Sequence, residues 1–333
     1  MVKKNCNLED LFFEIELRPV YWETNGNVSF IKENLWYSQS HPQLAEEYMA
    51  LVDPERKHLF SIFKRSYNPI TYKEAYKVGM TIARSIFMRN EKDSYFQIKP
   101  FRVRMSKDRA VASVYMERDV DEKQPLLNYG WKAFLRIVNS YNGTKALNYT
   151  FGFKYMDNSF CLVFPELAVN LTIDKHKGNI YNQIREQLGK NNNINTIQSI
   201  EDAFIRKLEQ LKKAEIVDTM FVPLFCKFEN ITTKKLSAKE AYYKNLIKEM
   251  LVLKRKYQRE GQHLSAYDFL LIILDYMSNR KQDQMANSLK EDSPMRAGIW
   301  ADSYLEMLAK KESPYKYIGQ EFFDVAVMLE KLE

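Results

Sequence analysis

Positive charge is concentrated in the middle of the chain. The segment from Lys99 to Lys154 contains eleven Lys and Arg residues against five Asp and Glu, and it therefore holds most of the net charge of +7. Clustered cations attract polyanions better than dispersed ones, because salt screens a charge beyond about 10 Å. The segment indicates binding to phosphate groups, and the alternative is a solvated strand face that binds nothing.

The residue order within this segment separates charged from apolar side chains. In FRVRM, Arg102 and Arg104 alternate with Val103 and Met105, so a strand would direct the arginines away from the core. Arg and Lys can follow the phosphates of a single strand while exposed aromatic rings stack on its bases. We expect Tyr141, at an Asn-Gly turn, and Tyr115 to supply those rings. The predicted nucleic-acid-binding residues are Arg102, Arg104, Lys107, Arg109, Tyr115, Lys132, Arg136, Tyr141, Lys145 and Lys154.

Motifs for catalysis are sparse. The sequence has no glycine-rich phosphate loop, no His-Glu-x-x-His and no Cys-x-x-Cys, and it contains only ten glycines. A three-ligand zinc site is not expected, because the four histidines are isolated along the chain: His41, His58, His176 and His263. The lack of these motifs favours a non-catalytic protein over an enzyme. We therefore expect no cofactor, no bound metal and no catalytic residue.

Two acidic groups leave alternatives open. Asp53, Glu55 and Lys57 have the spacing of a magnesium-dependent nuclease, although such triplets are also common at solvated helix ends. A second acidic group follows the basic strands, and a solvated turn is favoured there over an ion site: Asp119, Asp121 and Glu122.

The N-terminal part predicts strands and one well-defined helix. Two extended segments flank Asn25-Gly26, a dipeptide typical of tight hairpins. PQLAEEYMALVD predicts a short helix, and HLFSIFKRSYNPI predicts a strand. Thr71 and Glu74 form a capping box at the start of a helix, because each side chain can satisfy a free backbone N–H of the other residue.

Residues 100–175 predict an antiparallel sheet with one apolar and one basic side. In LNYTFGFKY, the apolar residues Leu147, Phe151 and Phe153 alternate with polar ones, so we expect them to face a core rather than a base. FCLVF, at 160–164, is apolar on both sides and predicts a central strand.

Helical periodicity dominates beyond about residue 178. Ser237 and Glu240 predict a second capping box before a long amphipathic helix, and AYDFLLIILDYMSNR predicts a buried helix. GKNNNINT is interpreted as a linker. The predicted fold is α+β: an antiparallel sheet domain with packed helices over 1–178, followed by an all-helical domain over 179–333.

The middle of the chain resembles a known family. FSIFKRSYNPITYKEAYKVG followed by FLRIVNSYNGTKALNYTFGFKYMDNSFCLVF resembles the DUF932 family of phage- and plasmid-type proteins, over roughly residues 58–180. Asn139, Ser140, Tyr141 and Gly143 match the family's turn, and Cys161 lies near its cysteine. The Asn-Gly that follows this cysteine in the family is replaced by Leu162 and Val163. The resemblance implies a mobile-element origin and no particular chemistry.

Two functions follow as expectations. The first is non-catalytic binding of single-stranded nucleic acid through the basic sheet face. The alternative is a mobile-element protein that binds and inhibits a host protein, such as a defence-system enzyme, because its 21 tyrosines and 14 methionines can supply adaptable contact area. Three widely spaced cysteines and the lack of a long apolar run predict a cytoplasmic protein without membrane contact. The helical region is a candidate for self-association into a homo-oligomer.

Overall fold

A computed structural model describes most of the chain. The described residues are 2–3, 6–22, 28–29, 43–87, 97–118, 125–156, 160–165, 167, 170–173, 182–183, 196–258, 262–279 and 293–330. The turn at Asn25-Gly26 and most of GKNNNINT lie outside these residues. So does the acidic group at 119–122.

The chain forms two compact units, each assembled from separate segments. The first contains Met1–Glu122, Ala133–Phe151 and Val169–Gln198, and the second contains Lys123–Lys132, Gly152–Ala168 and Ser199–Glu333. This division differs from the boundary at residue 178 that the change of periodicity predicts. Periodicity follows local structure, whereas the units are defined by contacts between distant segments.

The fold class is α+β, as the sequence predicts, with antiparallel sheets in the N-terminal half and helices in the C-terminal half. The larger sheet has the strand order β1-β6-β7-β8-β9-β10, and β11 pairs with β9. Its strands are β1 (Val2–Lys3), β6 (Ile98–Ser106), β7 (Val111–Arg118), β8 (Trp131–Ser140), β9 (Leu147–Tyr155), β10 (Cys161–Leu162) and β11 (Asn170–Ile173). The boundary between the two units falls within β8 and β9.

One side of this sheet packs on helix α1 (Tyr72–Phe87) in the first unit. Val103, Val114 and Ile137 are cross-strand neighbours on this side, and all three are buried. A Cβ at Gly79 would lie 2.2 Å from Ile137 Cδ1, so the glycine permits helix and sheet to approach closely. The predicted capping box is confirmed: the Thr71 backbone N–H donates to Glu74 Oε2 at 2.9 Å, and the Glu74 N–H donates to Thr71 Oγ1 at 3.1 Å.

The first unit also contains a four-stranded antiparallel sheet with the order β3-β2-β4-β5. Its strands are β2 (Glu16–Trp22), β3 (Val28–Ser29), β4 (Gln43–Asp53) and β5 (His58–Lys64). The helix predicted over PQLAEEYMALVD is therefore wrong. Pairing of β4 with β2 on one side and with β5 on the other overrides the local helix propensity of this segment.

FCLVF is buried as predicted, but it is not a central strand. Cys161 and Leu162 form the short β10 at one end of the strand order, where they pair with Lys154 and Phe153. Burial on both sides does not require a central position, because residues packed over the edge of a sheet also lose contact with water. Leu147, Phe151 and Phe153 are each at most 1% exposed, which confirms their assignment to the core.

The second unit is mainly helical. Its helices are α2 (Thr196–Lys213), α3 (Asp218–Glu229), α4 (Thr233–Ala238), α5 (Glu240–Tyr257), α6 (Ala266–Asn279), α7 (Ser293–Ala309), α8 (Pro314–Ile318) and α9 (Gln320–Glu330), and a two-stranded sheet joins β12 (Glu215–Ile216) to β13 (Leu264–Ser265). Helix α6 is buried as predicted. The capping box at Ser237 is wrong, because Ser237 lies inside α4 and its hydroxyl donates to Thr233 O at 3.0 Å.

Candidate nucleic-acid interface

Three predicted cations share one side of the larger sheet in the first unit. Arg102 pairs with Tyr115, which pairs with Arg136 on the next strand, while Arg104 pairs with Ser113. Cross-strand partners point to the same side of a sheet, so the three arginines lie opposite the side that packs on α1. The strand alternation predicted for Arg102 and Arg104 is confirmed, since Val103 and Met105 are buried and the two arginines are partly exposed.

Tyr115 is the centre of this side and is not available for stacking on bases. The prediction that it is exposed is wrong, because it is 1% exposed. The guanidinium carbons of Arg102 and Arg136 lie 5.4 and 5.7 Å from the centroid of its ring, a cation–π arrangement. Phe134 packs on the same ring at a centroid distance of 5.7 Å. Arg136 is itself 7% exposed, so direct contact with a ligand falls to Arg102 and Arg104.

Tyr141 is also buried, at 3% exposure, so the second predicted stacking residue is wrong as well. Its hydroxyl accepts the Tyr72 backbone N–H at the start of α1, at 2.9 Å, and the two rings lie 4.1 Å apart. Burial raises the pKa of the Tyr141 phenol. The residue links the turn after β8 to the helix start, which is a structural role.

Arg109 is neutralised by carboxylates. Its Nη1 lies 2.7 Å from Glu55 Oε2 and 3.2 Å from Asp53 Oδ2, and its guanidinium lies 4.8 Å from the Phe13 ring centroid. Burial alone would lower the pKa of Arg109, but the hydrogen bonds and charges of Glu55 and Asp53 outweigh it and raise the pKa. Arg109 is therefore a link between two turns rather than a free cation.

The same ion pairs bear on the nuclease hypothesis. Asp53 is fully buried, and it also accepts the Arg56 backbone N–H at 3.0 Å. A guanidinium thus occupies the space between Asp53 and Glu55 where that hypothesis would need a magnesium ion. Within the described part of the chain, no group of three or more His, Cys, Asp or Glu side chains is arranged to hold a metal.

Lys107 and Lys145 lie in the turns that follow β6 and β8. Lys107 is exposed, and its carbonyl accepts a hydrogen bond from Arg56 Nη1 at 3.0 Å, which fixes the turn after β6. Lys145 is partly exposed, and its backbone N–H donates to Ser140 Oγ at 3.0 Å. The side chains of both lysines are thus carried on anchored turns.

The remaining two predicted cations, Lys132 and Lys154, belong to the second unit. Both are partly exposed, and Lys154 pairs with Cys161 of β10. The boundary between the units therefore separates these two lysines from the arginines of β6 and β8, although Lys132 and Arg136 lie on the same strand. Within the first unit, the register places Arg102, Arg104, Tyr115 and Arg136 on one side of the sheet.

Sequence reasoning missed two residues of this side, Lys99 and Ser113. Lys99 is exposed and lies opposite Glu117 in the β6–β7 register. Ser113, at 1% exposure, lies between Arg104 and Val138. Period-two alternation within AVASVYM would have placed Ser113 on the arginine side, because it lies two residues from Tyr115. Alternation within IKPFRVRM would have placed Lys99 on the opposite side, and it is the register shift between Pro100 and Arg102 that brings Lys99 to the arginine side.

Comparison of the chain with protein-family models, with curated proteins and with solved structures gives no match. The resemblance to the DUF932 family therefore stays a prediction. Among the helices that the structure describes, none combines the length and apolar character that a membrane crossing requires.

Proposed function

We propose that the chain binds single-stranded nucleic acid without catalysing a reaction, through phosphate contacts along β6 and the turn after it. One observation carries the proposal: Lys99, Arg102, Arg104 and Lys107 follow each other closely, and each is exposed or partly exposed. The nearest carboxylates in sequence or register are Glu117 and Asp108. Positive charge is therefore in excess along this strand.

The spacing of these cations suits an extended polyanion. Arg102 and Arg104 are two residues apart on one strand, which separates their Cα atoms by about 7 Å along β6. The Tyr115 ring holds the guanidinium of Arg102 at 5.4 Å, so less side-chain entropy is lost when a phosphate binds. Guanidinium groups also donate paired hydrogen bonds to phosphate oxygens.

Base stacking has no part in this proposal, because Tyr115 and Tyr141 are both buried. Binding would depend on charge and would show little preference for sequence. Four phosphate contacts predict that the logarithm of the association constant falls with the logarithm of salt concentration with a slope of about −3 for a single strand.

The test is fluorescence anisotropy of a labelled single-stranded oligonucleotide over a range of salt concentrations. Combined replacement of Arg102→Gln and Arg104→Gln should weaken binding and reduce the slope by about 1.4. The matched control is Lys248→Gln with Arg255→Gln, which removes the same charge from exposed positions of α5. Equal loss in both variants, or no loss in the first, would refute phosphate contact along β6.

A second candidate function is binding to a host protein, as expected for a mobile-element protein that inhibits its host. The resemblance to a phage- and plasmid-type family supports this candidate. Large apolar side chains of the four-stranded sheet are 40–48% exposed: Leu17, Trp22, Leu44, Tyr48 and Ile62. Tyr48 and Ile62 share one side of this sheet, because Ile62 pairs with Ala50, two residues from Tyr48. Adjoining exposed apolar groups are typical of protein interfaces. Recovery of the protein from its host at low and at high salt separates the two functions, because a packed protein partner should persist while nucleic acid is lost.

A further inference from the structure

A buried hydroxyl without a hydrogen-bond partner lies on the arginine side of the sheet. Ser113 is 1% exposed, and no hydrogen-bonding group of the described residues is within reach of its Oγ. Most buried polar atoms of folded proteins are hydrogen-bonded, so an exception calls for a water, an ion or a ligand that completes it. Ser113 lies on the central strand β7, where neither neighbouring residue in the register supplies an acceptor.

The surroundings of this hydroxyl are cationic. Arg104 lies directly opposite Ser113 on β6. Arg102 and Arg136 are the diagonal neighbours of Ser113 on the two flanking strands, since both pair with Tyr115. An arginine directly opposite the serine hydroxyl, with two more arginines at diagonal positions on the same side of the sheet, favours an oxyanion over a cation.

We propose that Ser113 and Arg104 form a phosphate subsite, in which the serine hydroxyl and the guanidinium each donate a hydrogen bond to one phosphate group. The proposal rests on the proposed function and names the place where β6 holds a phosphate most tightly. Arg104 is partly exposed, and its long side chain can bring N–H donors to a ligand beside Ser113. Arg102 and Arg136 remain on the Tyr115 ring and take no direct part in the subsite.

The subsite can be tested with inorganic phosphate alone, by thermal unfolding and titration calorimetry of the full chain at constant ionic strength, with chloride as the reference anion. Ser113→Ala and Arg104→Gln should each weaken phosphate binding about tenfold or more, because each removes a charge-assisted hydrogen bond. In the absence of phosphate, the Ser113→Ala variant should be at least as stable as the parent, since the change removes a hydroxyl that has no hydrogen-bond partner. Ser237→Ala, which removes an exposed hydroxyl from α4, is the control and should bind phosphate normally.

The outcomes distinguish this proposal from the proposed function. Equal phosphate binding by Ser113→Ala and the parent, or no phosphate binding by the parent, overturns the subsite. If the oligonucleotide still binds in that case, the function stands and only the subsite falls. If phosphate binds through Ser113 and the oligonucleotide does not bind, the subsite stands and nucleic-acid binding falls.

Discussion

Arg109 connects the turn after β4 to the turn after β6, and its removal should destabilise the first unit strongly. The change to test is Arg109→Met, which keeps much of the side-chain length over the Phe13 ring and removes the charge. Asp53, whose side chain is 0% exposed, would keep the Arg56 backbone N–H as a donor but would lose its cationic partner. A buried carboxylate without a counter-charge is costly.

The magnitude follows from burial. Breaking a buried ion pair by removal of one partner costs 3–5 kcal/mol, and because the Arg109 side chain is 15% exposed we expect about 3 kcal/mol. That loss corresponds to a fall in melting temperature of roughly 6–12 °C. Glu55, by contrast, is 71% exposed, so Glu55→Gln should cost less than about 1 kcal/mol although its distance to Arg109 is shorter.

The assay is urea unfolding of each variant, with hydrogen exchange of peptides from β4 and β5 to locate the effect. The double variant Asp53→Asn, Arg109→Met should be less destabilised than the sum of the two single changes, because it leaves no unpaired charge behind. The reasoning would be refuted if Arg109→Met and Glu55→Gln had the same small effect.

Three further predictions concern the second unit. Gly298→Ala should destabilise by about 1–3 kcal/mol in urea unfolding, because a Cβ there would lie 1.8 Å from Val163 O; a loss of less than about 0.5 kcal/mol would show that α7 shifts freely. Cys226 is buried, and burial raises the pKa of its thiol to about 12, so it should react with a disulfide reagent only after unfolding; rapid reaction of the folded protein at neutral pH would contradict this. Burial raises the pKa of Tyr267 to about 12, so its contribution to stability should be full below pH 10 and decrease as pH rises through 10 to 12. Tyr267→Phe removes the acceptor of the Trp131 indole N–H. Between pH 9 and 12, the melting temperature of this variant should therefore fall less steeply with pH than that of the parent. An equally steep fall would contradict the raised pKa of Tyr267.

Several features that depend on neighbouring residues could be predicted from the sequence, although the capping box predicted at Ser237 and Glu240 has the same local spacing and is wrong. The capping box of Thr71 and Glu74 is confirmed because both partners lie within one turn of helix. The alternation of Arg102 and Arg104 with buried neighbours is confirmed because strand geometry has a period of two. In both cases, the residues that determine the local structure lie within a few positions of each other in the sequence.

Features that depend on distant residues could not be predicted. Arg109 and Asp53 are 56 positions apart, and nothing in either local segment indicates that they meet. Tyr141 looks like an exposed turn residue, yet its hydroxyl accepts the backbone N–H of Tyr72, 69 positions away. The local sequence of β4 predicts a helix, and the strand forms because its pairing partners lie in other segments of the chain.

The most direct test of phosphate contact along β6 is lysine footprinting with an amine-acetylating reagent, followed by mass spectrometry. A bound single-stranded oligonucleotide should protect Lys99 and Lys107, which are exposed on β6 and the turn after it. Lys248 on α5 and Lys316, whose side chain is 78% exposed, should be acetylated equally with and without the oligonucleotide. Protection confined to Lys99 and Lys107 is the predicted result, whereas unchanged acetylation of both, or equal protection of all four lysines, would contradict it.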